Sequence, residues 1–341
     1  MRKKIFGCLS FALAILLLGG SAAYAQGSEA LTAIKAQKAP MLDGKVDALW
    51  NQAKEIKVRV TGGANLPGGS TEVTLKALYT NDDVFILAQW ADKTKSERRA
   101  PWQKQADGTW TQLKDPKDKG GDNNVYYEDK LSLIWNINAA GFEAAGCMVA
   151  CHAGEAGKPF GNKYLAKEGE LADIWHWKWV RTGPVGQVDD QYLDHTRFDK
   201  DKAPGAGRHG DPKTGGGYVN NVSDDKKGPK FAAKGNKAAP PYWIMDQERE
   251  DFDGSKYKAK AEVPGIIVAP FAGDRGDISA GAVWNNGVWT VEMSRKFKTG
   301  SKFDVQFDDL GKSYAFGVAV FDNAQVRHAF AITPNKLVFA K

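Results

Sequence analysis

Cys147, Cys151 and His152 stand together in the stretch GCMVACHAGEAG, residues 146 to 157. Two thiols with three residues between them, closed by an imidazole, suit three kinds of chemistry. A Cys147–Cys151 disulfide is the plainest in an exported chain, but it would close a very small ring, add little loop-closure entropy and leave His152 without a task. A Cys2His metal site needs a fourth ligand, and the sequence holds no second cysteine pair or close histidine pair to complete a familiar zinc pattern. Covalent haem is the third. Cys-x-x-Cys-His is the usual c-type attachment sequence, with thioethers from both cysteines and the histidine on the iron. Here the spacer Met148-Val149-Ala150 is one residue longer. Spacing alone leaves all three open.

Other residues could complete such a site. His176, in Trp175-His176-Trp177, falls opposite the two tryptophans if the segment is a strand, and is either a pocket ligand or a structural histidine. His328 opens the stretch HAFAI beside a turn at Asp322-Asn323, which places it at the rim of a sheet structure. His195 and His209 lie in or beside a polar region and read as solvated. Met245 and Met293 are further candidates, the latter most simply a core residue. Arg181 and Arg327 have the forked geometry that suits carboxylates, although a surface position explains them as well. No nucleophile elbow, zinc-protease helix or phosphate loop is present, so the chain is not expected to be an enzyme. The Asp-Gly and Asp-Asp pairs are read as turns rather than calcium ligands.

The elements that must position these residues are short strands. EIKVRVTG (55 to 62) alternates apolar and polar residues. Residues 71 to 92 read as a hairpin turning at Asn81-Asp82-Asp83, and 281 to 297 as another turning at Asn285-Asn286-Gly287. DKLSLIWNIN (129 to 138), DIWHWKWV (173 to 180), GIIVAPF (265 to 271), KFDVQF (302 to 307) and YAFGVAVFDNA (314 to 324) are further strands, with HAFAI and KLVFA a last pair. Residues 93 to 125 form a polar surface loop, and about 195 to 262 an irregular insertion rich in Gly, Lys, Asp and Pro. Many short strands with turns between them predict an all-β, antiparallel β-sandwich with long irregular loops, in one domain over residues 26–341.

Residues 1–25 read as a signal peptide: Arg2, Lys3 and Lys4, an apolar run from Ile5 to Leu18, and Ala23-Tyr24-Ala25 before the cleavage point. The mature protein is expected in the periplasm, with no membrane span. Losing the leader takes the formal net charge from +6 to about +3, too mild a balance to argue for nucleic acid.

The segments MLDGKVDALWNQA, ALYTNDDVFILAQWAD and EDKLSLIWNIN resemble DOMON-like and carbohydrate-module-9-like sandwiches. DIWHWKWVRTGPVGQVDDQYLD, NNGVWTVEMSRKF and YAFGVAVFDNAQVRHAFA resemble, more narrowly, the haem-binding family of the ethylbenzene dehydrogenase γ subunit. The resemblance implies one haem in a pocket at the end of the sheets and a role in electron transfer. In the best-known members the haem is b-type, held by a Met and a Lys. Here the segment that would carry the axial Met holds Cys147, Cys151 and His152, so a covalent haem c is expected, with His152 as proximal ligand. His328 falls where the family has its axial Lys, and is the expected distal ligand, with His176 as alternative. The implied partners are redox proteins, a molybdenum oxidoreductase or another cytochrome. The competing expectation is a carbohydrate- or small-ligand-binding module with a Cys147–Cys151 disulfide and tryptophans stacked on sugars.

Overall fold

The structure is a computed structural model and describes residues 30–118, 121–152 and 163–341. The expected signal peptide lies outside the described residues. Thirteen strands form one curled sheet. In chain order they are β1 (Leu31–Lys35), β2 (Ile56–Thr61), β3 (Ser70–Tyr79) and β4 (Asp83–Ala91), then β5 (Lys130–Asn136), β6 (Ala172–Lys178), β7 (Asp189–Leu193) and β8 (Arg208–Gly210). β9 (Ser279–Asn285), β10 (Val288–Lys296), β11 (Tyr314–Phe321), β12 (Ala329–Phe330) and β13 (Asn335–Phe339) complete it.

The sheet folds over into two leaves. The first runs β8-β7-β6-β5-β11 and the second β2-β3-β4-β10-β9. β12 joins them by pairing with both β11 and β2. A second join runs from β11 through β13 and β1 to β3, where β1 lies parallel to both neighbours. The rest of the sheet is antiparallel, and the architecture is the expected β-sandwich. Its core is set by period-2 alternation: Leu133, Trp135, Trp175 and Trp177 from the first leaf meet Ile86, Trp90, Trp289 and Met293 from the second. Trp177 and Trp289 are in edge contact at 5.1 Å between ring centroids. The hairpin β9–β10 turns at Asn286-Gly287, both with positive φ (48° and 81°), the backbone a two-residue hairpin loop of this kind requires.

The first leaf is covered on both faces. Opposite the tryptophans, Ile134, Ala172, Ile174 and Ala315 point outward and are buried beneath the cysteine segment. This two-sided burial is why β6 reads as an unbroken buried strand.

Three expectations are corrected. KFDVQF forms no strand: Val305 and Phe307 are buried, but the Val305 amide donates to the Asp173 carboxylate at 3.0 Å instead of joining a ladder. HAFAI contributes only Ala329–Phe330, Ile332 is 59% exposed, and this strand does not pair with KLVFA; both flank β11. The stretches read as loop and irregular insertion hold short ladders, with Trp102–Lys104 between Trp110–Gln112 and Glu262–Val263, and Ile266–Ala272 between Gly215–Asn220 and Ile244–Met245. The strands that pair there with one another or with Ile266–Ala272 are two to six residues long, too short to leave a local period to read.

Candidate functional site

The cysteine segment leaves β5, makes one helical turn at Phe142–Ala145 and a 3-10 turn at Gly146–Met148, and folds back over the outer face of the first leaf. Gly146 takes φ +51°, where a side chain is strained and where a Cβ would stand 3.2 Å from Pro334. Cys147 is buried and Cys151 half-buried; both thiols are free, so the disulfide expected of the competing reading is not formed. The longer spacer is taken up by a wide turn in which the amides of both Ala150 and His152 donate to the Cys147 carbonyl (3.3 and 2.9 Å). Met148 points outward, 43% exposed.

Cys147 can lie this close to the sheet because β11 has a glycine beneath it. A Cβ on Gly317 would overlap the Cys147 sulfur and stand 3.0 Å from Ile134 Cγ2. Burial, and then the neighbouring Cys151, push the Cys147 thiol up to about 12. Burial also raises Cys151, against the opposing charges of Arg208 and Lys163. Both sulfurs are therefore neutral thiols at neutral pH.

The turn delivers His152 to His328. Their Nε2 atoms face each other at 3.1 Å. His328 Nδ1 lies 2.7 Å from the Val326 carbonyl oxygen, which can only accept, so the His328 proton is on Nδ1 and its Nε2 offers a bare lone pair. Phe330 stacks flat on His152, with centroids 3.8 Å apart and planes at 11°, and Phe321 packs against His328 at 4.5 Å. Burial, and then His152, hold His328 down at about 3, and burial lowers His152 as well. Both rings are neutral at pH 7. The pair is a single hydrogen bond if His152 carries its proton on Nε2, and two opposed ligand nitrogens if it does not.

His176 is set apart. It does lie opposite Trp175 and Trp177, buried on the outer face of β6, but it packs on Phe321 at 5.5 Å, so that ring touches both His176 and His328. Its Nδ1 is 3.2 Å from Gln191 Oε1, while its Nε2 has no partner among the described residues. Burial, then Lys178 and Lys130, hold it well below the ordinary histidine value. His209 pairs with Asp194 at 3.2 Å, Met293 is core, and Arg181 and Arg327 are bound to Glu128 and Asp122.

Thus Cys147, Cys151, His152 and His328 come together on the outer face of the β5–β11 pair, and His176 lies across Phe321 from them. The sequence reading missed Gly317, Phe321, Phe330 and the Val326 carbonyl. Only the Phe two residues after His328 carried a local hint.

This is a β-sandwich with a thiol and histidine cluster seated on one leaf, and the chain belongs to the family described as ethylbenzene dehydrogenase, whose pattern matches residues 47–331. Among solved structures it is similar to a carbohydrate binding module family 9 from Caldicellulosiruptor kristjanssonii in complex with cellotriose, at 10% identity and TM-score 0.36 over 91% of this chain and 94% of that one. The same module in complex with glucose gives 9% identity and TM-score 0.35 over 91% and 95%. A Bacteroides uniformis protein gives 9% identity and TM-score 0.38 over 92% and 100%. No curated protein matches the chain.

Proposed function

We propose that this chain is an exported c-type cytochrome: an electron carrier with one haem joined to Cys147 and Cys151, and with His152 and His328 as the two axial ligands. The observation that carries the reading is the pair of facing Nε2 atoms, 3.1 Å apart, on a turn that also presents two free thiols. The donor set fits the group. The thiols are the residues a thioether attachment consumes. The Val326 carbonyl fixes the His328 tautomer with Nε2 free, the backbone-anchored arrangement ordinary for ligating histidines. His152 and His328 would hold the iron through Nε2, and Cys147 and Cys151 would hold the ring.

When bound, the haem supplies one-electron redox chemistry, and the protein's part is to hold it and set its surroundings. Phe330 and Phe321 brace the two imidazoles. Two histidine ligands favour a lower potential than a His/Met pair, since an axial Met raises it, and leave no open position for small ligands. The partners are then redox proteins, a molybdenum oxidoreductase or another cytochrome, met in the periplasm after removal of residues 1–25.

A sugar-binding role would need exposed aromatic faces. Trp90, Trp135, Trp175, Trp177 and Trp289 are 2% exposed or less and belong to the core, so that reading gains nothing from them. The test is to produce the chain in a periplasm equipped for c-type maturation and denature the product. A haem spectrum that stays with the denatured polypeptide, and is lost in the Cys147→Ala/Cys151→Ala double variant, is expected. A colourless protein, or haem that the double variant still holds covalently, overturns it.

A further inference from the structure

A second cluster lies on the opposite, inward face of the same leaf, at the edge where the two leaves meet. Asp173 (β6), Asp190 (β7) and Asp304 (in the connection after β10) each place a carboxylate oxygen within 4.8 Å of the others. Asp211, directly after β8, stands beside Asp304. The four residues are 0, 0, 2 and 3% exposed.

Among the described residues, Arg295 of β10 is the fully buried cation in contact with them. Its Nη1 is 2.7 Å from Asp173 Oδ2 but 3.8 Å from both Asp190 Oδ2 and Asp304 Oδ2, and another of its nitrogens is turned to the Val305 carbonyl. Asp173 Oδ2 also takes the Trp175 indole and the Val305 amide (3.2 and 3.0 Å), and Asp190 Oδ1 takes the Gln191 amide (3.0 Å). The other oxygens have no donor among the described residues: Asp173 Oδ1, Asp190 Oδ2, and both oxygens of Asp211 and of Asp304. Six buried carboxylate oxygens whose only available hydrogen-bond partners are other carboxyls, against one guanidinium, cannot all remain charged and bare. The adjacent Asp189 shows the contrast. It faces the other way and is met by Lys178, Arg275 and Tyr218.

We infer that Asp173, Asp190, Asp211 and Asp304 form a calcium site that ties the first leaf to the β10 side of the sandwich. Every donor is a carboxylate oxygen, with no imidazole or thiol in the cluster, which selects a hard cation. The oxygens of Asp173, Asp190 and Asp304 lie within 4.8 Å of one another, close enough to share one cation. Four carboxylates from separate segments also suit the larger, more irregular shell of calcium. Without a cation the cluster must hold protons instead: burial, then Asp304, push the Asp211 carboxyl up to about 9.

The two alternatives, calcium or shared protons, separate in one experiment on the full chain, read without reference to haem. The protein is stripped with EDTA and titrated with calcium chloride and, separately, magnesium chloride, by calorimetry and by thermal unfolding. One calcium per chain is expected, with Tm raised by about 5 °C at a hundred times the dissociation constant and a smaller response to magnesium. Asp211→Asn and Asp304→Asn should each weaken binding at least tenfold. No heat of binding and an unchanged Tm would mean a proton-sharing cluster and overturn the site. An equal response to magnesium would overturn the calcium assignment, and wild-type affinity in Asp211→Asn would move the ion elsewhere. Should Asp304→Asn not fold, Asp211→Asn and the metal content of the purified wild type still decide.

Discussion

Replacing Gly317 by Ala tests the placement of the cysteine segment with a single methyl group. Gly317 is in the middle of β11, with φ outside the left-handed region. On backbone grounds alone, Gly→Ala in a strand should stabilise by about 0.5–1 kcal/mol, because the unfolded chain loses freedom. The structure argues the opposite sign. The new Cβ would overlap the Cys147 sulfur and stand 3.0 Å from Ile134 Cγ2, where ordinary contacts are about 3.5–4.0 Å. The Cys147 backbone cannot simply shift, since its carbonyl takes the amides of Ala150 and His152, and its side chain is buried against the outer face of the leaf. The whole turn must lift by about 1 Å. Overpacking of this kind costs about 1–3 kcal/mol, so a net loss of about 1–2 kcal/mol is expected in urea unfolding of the haem-free chain. The double-mutant cycle with Cys147→Ala isolates the cause. With the sulfur gone, Gly317→Ala should cost at least about 1 kcal/mol less than it does in the wild type. If Gly317→Ala is neutral or stabilising with Cys147 in place, or costs the same with and without it, the cysteine turn does not sit on β11 as described.

In the haem-loaded protein, His328→Ala should give a high-spin spectrum and carbon monoxide binding in the reduced state, while His176→Ala keeps six-coordinate low-spin iron; the reverse pattern would make His176 the ligand. Asp92, 2% exposed, has a carboxyl raised to about 7 by burial and then by Asp322. The folded chain therefore holds a proton there that the unfolded chain releases above about 3.9, and this group weakens folding as pH rises from about 4 to 7. Asp92→Asn should match the wild type near pH 4 and exceed it in urea unfolding by pH 8; a constant difference across that range would refute the raised value. Glu292 takes the Trp50 indole (2.7 Å) and the amides of Asp43 and Gly44 (3.1 and 2.8 Å), so Glu292→Ala leaves three donors without an acceptor. It should cost at least about 2–3 kcal/mol, measured by thermal unfolding, and an unchanged Tm would show that water replaces the carboxylate freely.

Much of this protein is legible along the chain because its causes are local. Alternation in EIKVRVTG, DKLSLIWNIN and DIWHWKWV is set by the two-residue repeat of a strand, and the hairpin at Asn286-Gly287 by the positive φ those residues tolerate. The same alternation separated His176 from Trp175 and Trp177. The cysteine stretch was legible as chemistry because two thiols and an imidazole in six residues are held together by the chain itself.

What the sequence left undecided depends on which distant segments touch. His152 and His328 are 176 positions apart, and only the return of the cysteine turn across β11, made possible by Gly317, brings their nitrogens face to face. KFDVQF alternates as a strand does, yet its amide is claimed by a carboxylate on β6, a competitor that no local pattern reveals. Asp-Asp at 189–190 read as a turn. It is a strand that sends one carboxylate outward to Lys178 and Arg275 and the other inward to a cluster drawn from four segments. Period-2 geometry fixes that the two must diverge; what each one meets is decided by the packing of the leaves, because long-range contacts carry no trace in the residues between them.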